Sequence, residues 1–202
     1  MDATKIRLST EEAALVMRSD WILTKNRILQ KVKQLLEMIQ DEEQEYLATY
    51  SFLPEEVSII GPKISKGENY KGLPYLVLDL PRYFNKDHIF AIRTLFWWGH
   101  FFSTTLQLSG NYKTLLENKI IAAFKQLSKD DYFICINEDP WEHHFEAGNF
   151  VPLNALSLKQ FEKIIRTHPF LKLSKKIPLT QWNNVRENVT QVFRQFLTIA
   201  GD

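Results

Sequence analysis

Cysteine is nearly absent from this sequence, since Cys135 is the only one among 202 residues. A single cysteine excludes an intramolecular disulfide and any metal site built from several thiolates. Its neighbours Ile134 and Ile136 place it in an apolar run, whereas a reactive thiol generally needs exposure and a cationic neighbour. We therefore interpret Cys135 as a small, inert, buried side chain.

Long hydrophobic runs and a charge excess of one sign are also lacking. No apolar run approaches the roughly 20 residues of a membrane-spanning helix, and no secretory signal is visible in residues 1–12. The net charge is only +1, whereas nucleic-acid-binding domains generally carry a marked basic excess. The most basic segment contains Arg166, Lys172, Lys175 and Lys176, and we interpret it as a solvated connection. These absences predict a cytoplasmic protein that binds neither membrane nor nucleic acid.

Signature motifs of the common enzyme classes are missing as well. The segment 61–67 contains glycine and lysine, but it does not lead from a strand into a helix, as a phosphate-binding P-loop must. Neither the serine nucleophile elbow nor the H-E-x-x-H zinc motif occurs. The sequence therefore predicts no cofactor and favours a binding domain over an enzyme.

The residues that are present suit one well-packed domain. Apolar residues make up 45% and charged residues 24% of the chain, close to the globular average. The order of periodic segments is α, α, β, β, β, α, β, α, α, which indicates an α+β fold rather than a parallel doubly wound sheet. We expect residues 1–202 to form a single domain with an antiparallel sheet of about four strands and helices packed mainly on one face. The helical segment at about 9–50 is expected to pack on the sheet.

The longest predicted helix carries apolar residues at helical spacing from Trp21 to Ile39. This stripe is wider than a coiled-coil seam and ends at Asp41, after fewer than three heptads. It therefore predicts a core helix rather than a dimer seam. On this interpretation Leu35→Ala lowers the free energy of unfolding by about 2 to 5 kcal/mol.

The most informative segment is the β-rich block from Tyr70 to Ser109, where Gly99 separates two long strands. If Gly99 lies in an even-length turn, Leu95 shares an apolar face with Phe102. The opposite face then mixes aromatic rings with hydroxyl and amide groups, a mixture typical of a pocket wall. We predict that this mixed face, together with Arg93, binds a small molecule or a protein partner. The predicted ligand-binding residues are Arg93, Thr94, Phe96, Trp98, Phe101, Ser103, Thr105 and Gln107.

Two charged residues, Asp79 and Arg93, interrupt otherwise apolar strands of this block. A buried charge without a partner costs about 3 to 5 kcal/mol. We therefore predict that Arg93 is at least half buried and paired with Asp79. In the functional alternative, the guanidinium of Arg93 binds a carboxylate or phosphate of a ligand.

Residues 138–146 contain four acidic and two histidine side chains, which makes them the densest group of potential metal ligands. His144, Glu146 and Asp139 are the candidate ligands of a metal-dependent hydrolase, which is the alternative to the binding function. Adjacent histidines on an extended chain point to opposite sides, so the first interpretation is a polar loop without a metal. We expect charge repulsion to keep this loop open unless a cation or distant lysines neutralise it, and Lys172, Lys175 and Lys176 could supply that neutralisation. Phe145 and Trp141 are expected to anchor the loop to the body of the protein.

Overall fold

The computed structural model describes residues 6–50 and 52–201, and within these residues seven α-helices accompany a single seven-stranded sheet. The helices are α1 (Thr10–Val16), α2 (Asp20–Ala48), α3 (Glu55–Ser58), α4 (Gly110–Ala122), α5 (Phe124–Leu127), α6 (Leu158–Thr167) and α7 (Val185–Gly201). The strands are β1 (Lys63–Tyr70), β2 (Leu73–Phe84), β3 (Ile89–Trp97), β4 (Phe101–Ser109), β5 (Tyr132–Cys135), β6 (Phe150–Pro152) and β7 (Phe170–Pro178). None of the described helices is both long and apolar enough to cross a membrane.

All strand pairings are antiparallel, and the strands lie in the order β1-β2-β3-β4-β7-β5-β6. The α+β class is therefore confirmed, but the predicted number of about four strands is wrong. Three strands were not predicted from the sequence: the edge strands β1 and β6 and the internal strand β7. β1 is rich in polar residues and glycine, as edge strands often are. β7 carries the lysines that suggested a solvated connection.

Helices α2, α4, α6 and α7 cover one face of the sheet and enclose the main core with it. Leu36 of α2 belongs to the same buried cluster as Phe102 of β4. Phe193 of α7 lies with Leu106 of β4 in an adjoining cluster. These helices lie on one face of the sheet. Residues on the opposite face, such as Phe101 and Ser103, are buried as well, so another part of the chain covers that face.

The hairpin between β3 and β4 corrects the predicted division of faces. Trp97 pairs with Phe101, so the connection from Trp98 to His100 has three residues rather than an even number. Cross-strand partners share a face, and a one-residue slip moves every side chain of a strand to the other face. The pairs Leu95–Ser103 and Phe96–Phe102 therefore lie on opposite faces, and the predicted common face for all the binding residues is wrong.

Helix α2 packs on the sheet only along part of its length. Its buried apolar residues run from Leu29 to Ile39 and share a cluster with residues of β2. Trp21, at the start of the predicted stripe, is 45% exposed, and α1 buries none of its residues. The predicted packing of the helical segment is therefore seen from Leu29 onward and not before it.

The buried stripe of α2 ends in a carboxylic acid. Glu43 is 2% exposed, and its Oε1 has no hydrogen-bond partner among the described residues. Burial raises the pKa of Glu43 well above its usual range, and the neighbouring charge of Glu42 adds to this effect. The folded state therefore favours the neutral acid. The stabilisation from the raised pKa of Glu43 is fully present below the pKa of about 4.3 that a glutamate has in the unfolded chain. It is lost as the pH rises through the raised pKa of Glu43 in the folded protein.

We expect Glu43→Gln, which resembles the neutral acid, to stabilise the protein at pH 8 by about 1 to 3 kcal/mol and to change little at pH 4. Denaturant titration at both pH values measures the effect. Glu45→Gln is the matched control, because Glu45 is exposed on the same helix. An equal effect of Glu43→Gln at the two pH values would contradict a buried, neutral Glu43.

Candidate ligand-binding site

The sheet face opposite the helices is covered by residues 136–149, which we call the covering loop. Phe145 holds this loop to the sheet. Its ring centroid lies 5.0 Å from that of Phe101, 4.9 Å from that of Phe133 and 4.7 Å from that of Phe150. The predicted role of Phe145 is confirmed, whereas Trp141 is 49% exposed. The loop is closed on the sheet, and two of the lysines named as possible sources of neutralisation, Lys172 and Lys176, lie against it.

Lys172 of β7 supports the covering loop from below. Its side chain is almost fully buried, with 1% exposure. Its Nζ donates hydrogen bonds of 2.9 Å and 2.6 Å to the carbonyl oxygens of Pro140 and Glu142. Burial lowers the pKa of Lys172 to about 8. The interpretation of this segment as a solvated connection is therefore wrong, because the lysine joins the sheet to the loop.

Tyr70, at the end of β1, fixes the loop from the other side. Its hydroxyl accepts hydrogen bonds from the backbone N–H groups of His143 (2.8 Å) and His144 (3.1 Å) and donates one to Glu142 Oε2 (2.8 Å). Burial raises the pKa of Tyr70 to about 12, so the hydroxyl keeps the proton that it donates. These hydrogen bonds fix the position of the loop relative to β1.

A cavity of about 320 Å³ remains between the covering loop and strands β1 to β3. Its floor contains an ion pair, and its walls carry aromatic rings and an imidazole. The lining residues are Ser65, Tyr70, Tyr75, Val77, Asp79, Arg93, Trp141 and His143. Small-molecule sites commonly combine apolar or aromatic walls with a few fixed polar groups in this way.

The floor of the cavity is a bidentate ion pair between neighbouring strands. Arg93 donates from Nε to Asp79 Oδ1 (2.7 Å) and from Nη2 to Asp79 Oδ2 (3.1 Å). The predicted burial and pairing of Arg93 are therefore confirmed. Its guanidinium carbon also lies 5.5 Å and 5.7 Å from the ring centroids of Phe84 and Trp141. The Asp79 carboxylate binds Nε and Nη2 and leaves Nη1 outside the fork.

His143 adds a neutral imidazole to the cavity wall. Burial lowers the pKa of His143 well below its usual range, and the positive charges of Lys172 and Arg93 act in the same direction. At neutral pH the ring is therefore uncharged and offers one donor and one acceptor. The positive potential that depresses its pKa also favours an electron-rich ligand group at this position.

Only one of the predicted ligand-binding residues, Arg93, lines this cavity. Four others lie on the same sheet face but are buried under the covering loop: Phe101, Ser103, Thr105 and Gln107. Thr105 bonds to Ser174 at 2.7 Å. The amide of Gln107 has no partner among the described residues.

The remaining predicted residues lie elsewhere because of the three-residue turn. Thr94 and Phe96 are buried on the helix-covered face, where Thr94 lies 3.3 Å from the hydroxyl of Thr104 and Phe96 joins the core. Trp98 lies in the turn itself and lines a different cavity. Three residues that line the cavity were not among the predicted ligand-binding residues: Tyr70, Tyr75 and His143.

The alternative metal site lacks the geometry that it needs. Both nitrogens of His144 face carboxylates, with Nε2 at 3.3 Å from Glu142 and Nδ1 at 3.5 Å from Glu146. Nδ1 also accepts the backbone N–H of Glu146. Asp139 instead accepts the backbone N–H of Trp141. No three His, Cys, Asp or Glu side chains in the described part of the chain are grouped to hold an ion.

Comparisons with protein-family models, with curated proteins and with solved structures find no match for this chain.

Proposed function

We propose that this protein is a small-molecule-binding domain whose ligand occupies the cavity under the covering loop. The observation that carries the proposal is the placement of Arg93. The Asp79 carboxylate accepts hydrogen bonds from two nitrogens of the Arg93 guanidinium and so holds it in place. The Arg93 side chain also lines the cavity. A donor that is held in place before binding loses little conformational freedom when a ligand arrives.

The cavity lining favours a planar aromatic ligand that carries a hydrogen-bond acceptor such as a carboxylate. Tyr75 and Trp141 provide ring surfaces at its walls, and aromatic rings favour other rings in offset or edge-to-face contact. Arg93 and the neutral His143 provide donors for the acceptor group. A carboxylate on the ligand also gains from charge-assisted hydrogen bonding to the guanidinium.

Calorimetric titration with indole-3-carboxylate and benzoate tests this proposal directly. We expect both to bind more tightly than indole, which lacks the acceptor, and than cyclohexanecarboxylate, which lacks the aromatic plane. Equal binding of all four compounds, or of none, would contradict the proposed ligand class.

Two variants test whether binding takes place in this cavity. Arg93→Lys keeps a counterion beside Asp79 but removes the guanidinium fork, and we expect it to weaken binding by about tenfold or more. Trp141→Ala removes a wall and should have a similar effect. Trp21→Ala is the matched control, because Trp21 is 45% exposed and Trp141 is 49% exposed, and only Trp141 lines this cavity. Binding that is lost in Trp21→Ala and kept in Trp141→Ala would place the ligand elsewhere.

A further inference from the structure

Exposed apolar side chains are concentrated in one segment of the chain, far along the sequence from the covering loop. Among the described residues, eight of the fifteen exposed large hydrophobic side chains lie in residues 6–23. Single exposed apolar residues need no explanation, but a contiguous group of them marks an interaction surface. The eight are Ile6, Leu8, Leu15, Val16, Met17, Trp21, Ile22 and Leu23.

Helix α1 is the part of this surface with the fewest contacts to its own chain. It has a complete capping box, in which Ser9 and Glu12 satisfy each other's backbone N–H groups, so its start is well defined. It nevertheless has only seven residues and buries none of them. Isolated helices of this length are unstable in water. Packing against another surface would supply the missing stabilisation.

A suitable surface lies beside the first turns of α2. An apolar groove of about 470 Å³ runs from Trp21 to Ile28 and is closed by the start of β2 and by the turn after β3. Its lining residues are Trp21, Thr24, Lys25, Ile28, Leu73, Pro74 and Trp98. None of these lining residues belongs to α1, although α1 ends at Val16, shortly before the groove begins.

Helix α1 lies outside the groove of its own chain. Only Met17, Arg18 and Ser19 separate α1 from α2. The carbonyl of Leu15 accepts a hydrogen bond of 3.1 Å from Trp21 Nε1, which holds the end of α1 at the end of the groove. The groove extends about 10 Å along α2 away from this point, at 1.5 Å per residue. No residue of α1 in the same chain lines this groove, although the end of α1 lies beside it.

The charges of the helix and the groove are complementary. Helix α1 carries Glu11 and Glu12 in its first turn and no basic residue in its last. At the groove, Lys25 and Lys66 share the single carboxylate of Glu68, at 2.8 Å and 2.6 Å, which leaves one positive charge in excess. An acidic helix fits such a rim, whereas membrane-surface helices are typically rich in basic residues on their polar face.

We propose that the groove binds helix α1 of a second copy of this chain, so that two copies exchange their α1 helices in a symmetric dimer. Each copy offers one helix and one groove, so the contact is made twice and closes on itself. The apolar side chains of Leu15 and Val16 then lie against Trp98 and Ile28. This proposal is independent of the ligand in the cavity under the covering loop.

Sedimentation of the full chain over a wide range of concentrations tests the proposal. We expect a monomer–dimer equilibrium that Val16→Asp weakens by about tenfold or more. Ile59→Asp is the matched control, because Val16 is 72% exposed and Ile59 is 74% exposed, and it should leave the equilibrium unchanged. A chain that stays monomeric throughout, or a dimer that Val16→Asp does not affect, would overturn the proposal.

A mixing experiment distinguishes helix exchange from other dimers. Val16→Asp impairs the helix and Trp98→Ala impairs the groove, so each variant alone loses both contacts of its dimer. A mixed dimer of the two variants retains one intact helix and groove pair, and we expect it to be more stable than either variant's own dimer. If the mixture dissociates as readily as the single variants, the contact is not an exchange. Should Trp98→Ala fail to fold, Lys25→Glu, which reverses the charge of the rim, replaces it.

Vesicle binding tests the remaining alternative, in which the exposed apolar surface binds a membrane rather than a second copy of the chain. If the parent chain sediments with vesicles that contain phosphatidylserine and shows no self-association, the surface binds membrane and the dimer proposal is wrong. If it remains in solution and dimerises, the exchange is supported.

Discussion

Removal of the Asp79 carboxylate is expected to lower the free energy of unfolding by about 3 to 5 kcal/mol, because it leaves the charge of Arg93 buried without a partner. The two side chains are only 9% and 13% exposed, so water replaces little of the lost interaction. Arg93 would also lose both hydrogen bonds of its fork. Denaturant titration of Asp79→Ala at neutral pH measures the change.

A double replacement separates the cost of an orphaned charge from the value of the pair. Asp79→Leu combined with Arg93→Met removes both charges, and we expect it to cost less than Asp79→Ala alone. Glu162→Ala provides the exposed comparison, because its ion pair with Arg166 is 41% and 45% exposed and should contribute less than about 1 kcal/mol. An effect of Asp79→Ala as small as that of Glu162→Ala would mean that water reaches the Arg93 guanidinium.

This ion pair could be predicted from sequence because two charged residues interrupted apolar strands. The structure contains capping boxes at Ser9 with Glu12 and at Ser157 with Gln160, at the three-residue spacing by which such boxes are recognised in a sequence. Local rules succeed where the two partners lie within one turn of a helix or where a charged residue in an apolar strand needs a nearby partner of opposite charge.

The division of the sheet faces could not be predicted, because it depends on the length of a single turn. With Trp97 opposite Phe101, the turn contains three residues, and Gly99 adopts a positive φ of 74° within it. The sequence does not distinguish this turn from an even-length one. Because the turn is one residue longer or shorter than an even-length turn, Thr94 and Phe96 lie in the core instead of on the predicted binding face.

The cavity depends on contacts between segments that are distant in sequence. Lys172 can be buried in β7 because the carbonyls of Pro140 and Glu142 accept its hydrogen bonds, and hydrophobic periodicity gives no sign of that arrangement. Tyr70 contacts His143 across 73 residues. Long-range pairs of this kind decide which polar residues surround a site, so Arg93 was the only cavity residue among the predicted ligand-binding residues.

Truncation of Leu36 to alanine is expected to cost about 2 to 5 kcal/mol, and truncation of Leu35 distinctly less. Leu35 belongs to the predicted apolar stripe of α2, but the apolar residues that α2 buries are Leu29, Val32, Leu36 and Ile39. Leu36 is fully buried, with 0% exposure, whereas Leu35 is only partly buried at the edge of the same cluster.

The comparison of these two substitutions measures the orientation of α2 directly. Both remove the same atoms from the same helix, so differences in helix propensity cancel and only the cavity and the lost burial remain. Denaturant titration measures the two changes in the free energy of unfolding, and sedimentation measures self-association separately. The groove proposed for the dimer ends at Ile28, so neither substitution is expected to change self-association. If Leu35→Ala costs as much as Leu36→Ala, helix α2 does not face the sheet through Leu36. If either substitution changes the dimer equilibrium, α2 contributes to the interface beyond the proposed groove.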